Sequence, residues 1–268
     1  MKLSILIPAL SLESLDKCLK AIQEHSKYEH EILVTVNSLN PNDKEKFKKF
    51  EDLERKYSNK FMFLAQNYGV CIPLNIMAKK ATQKWIIYIA DDEIVFPNWD
   101  LEIEKYINNL KDDNYFLVPR RIERIVESQM FSGIQGDFGD SYETIKWDEI
   151  KSKANELIEQ HRNDKLKRKA IIPFLITRNN YLELGGYDTN YYPGAGADPD
   201  LGFQFYKKYG IDRIQIIPSS FVYHLSKQRA TKHISEITLM KPMINDQTYF
   251  LNKNGISIAE FDQMLKYE

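Results

Sequence analysis

The sequence predicts an α/β fold on a mostly parallel central sheet, and three observations carry the prediction. Short apolar, β-rich runs alternate with helical periodicity through the first half of the chain, as in successive strand–helix–strand units. The strand runs are nearly continuous in Ile, Leu, Val and Phe, which marks strands covered on both faces. Polar residues follow several of these runs, at the carboxyl ends where open parallel sheets bind ligands.

In chain order, strands are predicted over 3–8, 31–36, 61–64, 85–90 and 115–119. Between the first two, Leu15, Cys18, Leu19 and Ile22 recur at helical spacing behind Ser11, a residue suited to cap a helix. Phe47, Phe50, Leu53 and Tyr57 do so before the third strand, and a third helix covers 74–82. After Pro119 an irregular stretch with Gly133, Gly136 and Gly139 leads into a charged segment, 148–169. There Ile150, Ala154, Leu157 and Ile158 form one apolar stripe, and the mixed charges read as a solvated face. The run 170–177 returns to the sheet, 201–209 reads as helix, and short helical stretches follow His233.

At 268 residues the chain is long enough to bury a core without staples. Its 43% hydrophobic and 28% charged residues exclude disordered, collagen-like and coiled-coil classes. The 37 basic residues balance 38 acidic ones, so no overall field draws the chain to nucleic acid, and no nucleic-acid partner is expected. Cys18 and Cys71 lack metal or redox spacing and read as small core residues of a reducing compartment. The first apolar run is too short for a signal peptide, and none reaches the roughly 18 residues of a membrane span. A cytoplasmic protein is expected, with contact at the inner face of the membrane left open.

Three strand-terminal or loop segments offer chemistry. In Asp91-Asp92-Glu93 a buried strand runs into three consecutive carboxylates, which repel one another unless a cation such as Mg²⁺ or Mn²⁺ sits among them; an acidic turn before proline is the alternative. In Gly194-Ala195-Gly196-Ala197-Asp198-Pro199-Asp200, one aspartate can cap the helix that follows and the other can act as general base. His224 ends a β-rich run with Lys227 and Arg229 close behind, a set that suits a metal-bound diphosphate as well as a surface strand end.

The order of these segments resembles the family-2 glycosyltransferases, nucleotide-sugar-dependent enzymes with the Rossmann-like GT-A fold. The likeness runs from about residue 3 to 224. It rests on Ser4-Ile5-Leu6-Ile7-Pro8-Ala9, on Asn67-x-Gly69 with Asn75, on Asp91-Asp92, and on Gly185-Gly186-Tyr187-Asp188 followed by Asp198-x-Asp200-Leu201. The resemblance implies one GT-A domain over 1–268, with a nucleotide-sugar-binding half over 1–125, an acceptor half over 126–232 and a helical tail over 233–268. It implies that Pro8 and Ala9 line the nucleotide pocket and that Asn67 and Gly69 shape its floor. Asp92 becomes a metal ligand, Asp91 a contact to ribose or metal-bound water, His224 a late metal ligand, and Lys227 or Arg229 a diphosphate contact. Asp198 takes the place of the catalytic base of an inverting transfer, with Mn²⁺ or Mg²⁺ as cofactor and a nucleoside-diphosphate sugar, UDP favoured, as donor.

Three positions depart from that pattern. Ala90 stands where relatives often carry an acid, so Asp92 or Glu93 can be the metal ligand. Asn37 replaces the acid at the second strand end and can still bond a base edge. Ala197 precedes Asp198 where glutamate is common, which leaves Asp198 and Asp200 both as base candidates. The acceptor expected from the family is a glycan, lipid-linked glycan or glycosylated protein. Arg120, Arg121 and Arg124 could bind an anionic acceptor or pair with neighbouring glutamates, and Tyr191, Tyr192, Trp147 and Phe138 could stack on sugar rings or pack locally. A sugar nucleotidyltransferase is the competing enzyme class, though residues 9–14 lack the Gly-rich basic loop it needs. An inactive glycan-binding homologue is the competing binding module.

Overall fold

The computed structural model describes every residue except 38, 41, 58, 125–132, 166–167, 226–235 and 267–268, and for 236–244 it describes the backbone alone. Lys227 and Arg229 therefore lie outside the described residues. The strands are β1 (Ser4–Ala9), β2 (Glu31–Val36), β3 (Lys60–Phe63), β4 (Trp85–Tyr88), β5 (Glu93–Val95), β6 (Phe116–Glu123), β7 (Ile134–Gln135), β8 (Phe174–Thr177) and β9 (Ile214–His224). The helices are α1 (Leu12–His25), α2 (Lys44–Tyr57), α3 (Cys71–Lys80), α4 (Trp99–Ile107), α5 (Trp147–His161), α6 (Arg178–Glu183), α7 (Ala197–Tyr209), α8 (Glu236–Asn254) and α9 (Ile258–Met264).

One sheet runs in the order β3-β2-β1-β4-β8-β6-β9-β5, with β7 on β6. Parallel ladders join β1 to β2 and β4, β2 to β3, and β6 to β9, while β8 and β5 are antiparallel to their neighbours. Because β8 reverses between β4 and β6, the carboxyl ends of β1, β4, β6 and β9 all reach the same edge of the sheet. That edge carries the polar residues singled out in the sequence.

Strand periodicity divides the core in two. Ile5, Ile7, Ile87 and Leu117 face one layer, covered by α1, α2, α4 and α5, and Leu6, Ile86, Tyr88 and Phe116 face the other, covered by α3, α6, α7, α8 and α9. Ser11 caps α1 as expected, its hydroxyl accepting from the Ser14 amide. The free cysteines Cys18 and Cys71 are buried, one on each side of the sheet.

Four expectations shift. β6 does not stop at Pro119: the register slips between Pro119 and Arg120, and the ladder with β9 resumes through Ile122, which places Arg120 and Arg121 inside the strand. The charged segment is helical only through His161. Helix α7 begins at Ala197 rather than 201, with Gly196 as its N-cap, so neither Asp198 nor Asp200 caps it; both lie in its first turn. The tail contains a 19-residue helix, α8, anchored by the fully buried Phe250.

Candidate active site

The Asp91-Asp92-Glu93 turn connects β4 to β5, and the β5–β9 register sets Glu93 opposite His224. The three carboxylates separate. Asp91 turns toward the start of α1, where one oxygen accepts from the amides of Leu10 (3.0 Å) and Ser11 (3.4 Å). Burial, then the neighbouring Asp92 charge, raises its pKa to about 7. Glu93 is fully buried, accepts from the Ala90 amide (2.9 Å) and pairs with Arg121 (3.1 Å). Asp92 keeps some exposure and points an oxygen at His224 Nε2, 3.6 Å away.

The other His224 nitrogen, Nδ1, lies 3.3 Å from Glu123 at the end of β6. Burial and Arg121 oppose a proton on this imidazole, but the carboxylates of Asp92 and Glu123 outweigh them and raise its pKa. Glu123 is a site residue the sequence reading missed as such. The signal was present in its two-residue offset from Arg121, but it is legible only once β6 is known to continue past Pro119. Arg121 bridges Glu93 and Glu123 (3.6 Å) at the centre of this arrangement.

Asp92 and His224 together offer one carboxylate oxygen and one imidazole nitrogen, donors that Mn²⁺ or Mg²⁺ accepts beside phosphate oxygens of a substrate. Among the described residues no three His, Cys, Asp or Glu side chains converge as a ligand set. The pair is suited to a cation shared with a bound substrate.

Among the residues expected to line a nucleotide pocket, Pro8 and Ala9 end β1 in buried positions, and the Asn37 backbone N–H donates to Ala9 O (2.8 Å). Asn37 Nδ2 donates to Gly69 O (3.0 Å), while its Oδ1 is buried without a hydrogen-bond partner among the described residues. Asn67 Oδ1 accepts from the Gly69 amide (2.9 Å), closing a tight turn. Gly69 has φ +68°, and a Cβ there would sit 2.8 Å from Pro193 O, so glycine lets this turn and the 191–196 loop approach each other.

The two aspartates of α7 have different surroundings. Asp200 is buried and held by Lys253 (2.7 Å) and Asn254 (2.9 Å) from α8. Asp198 is partly buried; one oxygen accepts from the Tyr187 hydroxyl, and the Ile172 amide also donates to it. Burial raises its pKa to about 6 against the lowering effects of Tyr187 and Arg121. Ahead of them, the buried Asp246 of α8 accepts from the Tyr192 amide (3.2 Å), and the amides of Gly194, Ala195 and Gly196 turn toward it.

The acceptor-side suggestions scatter. Arg120 pairs with Asp164 (2.6 Å) and Arg124 with Asp140 (2.8 Å), so each arginine of the group already has a carboxylate in the chain. Tyr191 and Phe138 are core residues, and the Trp147 ring lies under Lys20. Tyr192 is 53% exposed, next to Gly69.

Solved structures share this fold at low identity. S. aureus TarS, residues 1–349, matches with a TM-score of 0.55 and 12% identity over 99% of this chain and 69% of that one. GalNAc-T7 with UDP, GalNAc and Mn²⁺ matches at 0.59 and 18% over 99% and 54%. The mannosyltransferase PcManGT from Pyrobaculum calidifontis, in complex with GDP-Man and Mn²⁺, matches at 0.60 and 14% over 98% and 67%. No curated protein matches in sequence. Among the described residues no helix is long and apolar enough to cross a membrane. The architecture is the GT-A fold, and the family described as Glycosyl transferase family 2 matches residues 4–168, so the chain belongs to that family.

Proposed function

We propose that the chain is a metal-dependent, inverting glycosyltransferase that moves a sugar from a nucleoside-diphosphate donor to an acceptor hydroxyl. The observation that carries this is the meeting, at one sheet edge, of a cation-compatible Asp92–His224 pair and a separate carboxylate, Asp198, whose pKa is raised to about 6. A divalent cation at Asp92 and His224 would supply charge neutralisation for the departing diphosphate. Asn37, with its unpaired Oδ1, is suited to accept from the base edge of the nucleotide, and Asn67 and Gly69 shape the floor below it.

Asp198 is the base: it takes the proton of the acceptor hydroxyl as that oxygen bonds the anomeric carbon, while the anomeric carbon–phosphate oxygen bond breaks and the nucleoside diphosphate leaves. Asp200 is the weaker candidate, because Lys253 and Asn254 hold its carboxylate in place. Glu93, tied to Arg121, is likewise a weaker metal ligand than Asp92. Structures bearing UDP or GDP-Man with Mn²⁺ on this fold support a nucleotide-sugar donor. A glycan acceptor in surface-glycan assembly rests on family resemblance.

The test is a thermal-shift series with UDP, GDP, CDP and dTDP, each with and without Mn²⁺, on the wild type and Asp92→Ala. One nucleotide should raise Tm only with Mn²⁺, and the variant should lose that rise. No shift under any condition rejects the donor and metal assignments together.

A further inference from the structure

Asn75, on α3, clamps both backbone groups of a residue more than a hundred positions away. Its Nδ2 donates to Tyr187 O (2.8 Å), and its Oδ1 accepts from the Tyr187 amide (2.9 Å) and from the Tyr181 hydroxyl (2.7 Å). Gly186 makes this approach possible. Its φ is +70°, and a Cβ there would lie 2.4 Å from Asn75 Oδ1. The Gly185-Gly186-Tyr187 motif thus shapes a backbone that a single amide side chain can grip.

The grip aims the Tyr187 side chain. Its ring is buried against Tyr88, Phe174 and Tyr181, contacts that phenylalanine would make equally well. Its hydroxyl donates to Asp198. Burial, followed by the charge of Asp198, pushes the phenol far above its ordinary range, so the hydroxyl keeps its proton and stays a donor at working pH.

We propose that Tyr187 is a positioning residue for the base: aimed by the Asn75 clamp, its hydroxyl fixes the Asp198 carboxylate and ties helix α7, which carries the base, to helix α3 beside the nucleotide. This rests on the reading of Asp198 as the base. Asp198 is also faced by Arg121 from β6, Glu93 from β5 and the Ile172 amide ahead of β8. Tyr88 of β4, Cys71 of α3 and Tyr181 of α6 lie within its field, and Tyr187→Phe leaves each of these side chains in the chain.

The experiment follows the carboxyl resonance of Asp198 by NMR on protein labelled with ¹³C-aspartate, assigned by its absence in Asp198→Asn. In Tyr187→Phe the titration midpoint should rise by about one pH unit, because a donor to the charged form is gone. Asn75→Ala, which keeps the hydroxyl but releases the clamp, should move it the same way and serves if Tyr187→Phe does not fold. Hydrolysis of UDP-glucose, UDP-N-acetylglucosamine and GDP-mannose gives the kinetic readout: on the donor turned over, Tyr187→Phe should lower kcat about tenfold with KM unchanged. An unmoved midpoint beside an inert Asp198→Asn overturns the proposal alone. Full activity of Asp198→Asn overturns the base assignment and the proposal with it.

Discussion

The acidic run at 91–93 and the aspartate pair at 198 and 200 set like charges side by side in sequence and then separate them by different means. A strand-to-strand turn sends Asp91 to backbone amides, Glu93 to Arg121 and Asp92 to His224. In α7, the helical twist turns Asp198 and Asp200 apart, one toward a neutral phenol and the other toward a lysine and an asparagine of α8. Asp91 and Asp198, which have no cation in hydrogen-bond contact among the described residues, are pushed up to about 7 and 6. Adjacent carboxylates are therefore not one functional unit: what each can do is set by the partner the fold gives it.

The sharpest way to break this comparison is Asp198→Asn. Sugar transfer should fall about 10²–10⁴-fold, the usual worth of a general base, while the Mn²⁺-dependent nucleotide shift in Tm persists. Loss of both would mean that the two clusters act as one site. Next, Asp92→Ala should lose the metal-dependent nucleotide shift with little change in the Tm of the free protein.

Asp200→Asn and Lys253→Met probe the clamped partner. Each should cost about 2 kcal/mol in urea unfolding, as expected for a lost charged hydrogen bond, with kcat of the folded fraction nearly unchanged. A kcat collapse in Asp200→Asn at full stability would exchange the roles of the two aspartates.

The smallest effect is on pH dependence. The native pKa of Asp198, about 6, stands above its ordinary 3.8, so the native state holds a proton that the unfolded chain releases between those values. This carboxylate therefore costs nothing below pH 3.8, costs increasingly up to about 6, and opposes folding fully above that. Asp198→Asn should raise Tm by a few degrees at pH 7.5 relative to its effect at pH 4. In the wild type, transfer should rise with pH and level off above about 6. An equal Tm change at both pH values would show that the carboxylate is not desolvated as described.

Much of the frame was readable because its signals are local. The β1, β2 and β4 runs are apolar on both faces, and Ser11 announces α1 within a few residues of the helix it caps. The partners of the site were harder to read because they depend on long-range register. Glu123 joins His224 only because β6 resumes after the slip at Pro119. The start of α7 was misplaced because Gly196-Ala197 and Pro199 read as breakers, although proline is tolerated in a first helical turn. Asn75 belongs to a motif legible in the sequence, but nothing local reveals that its amide holds Tyr187.

The Asp246 carboxylate gathered among the amides of 192–196 has a consequence for the order in which the protein matures during synthesis. Strands β1, β2 and β3 and the ladders among them emerge from the ribosome early, whereas the loop ahead of Asp198 meets Asp246 only once the middle of α8 has been made. Lys253 and Asn254, which steady the same helix turn, come later still. A nascent chain can thus build the β1–β2–β3 ladders well before the first turn of α7 gains its partners from α8, so the edge proposed to hold the donor begins to order ahead of the helix proposed to carry the base.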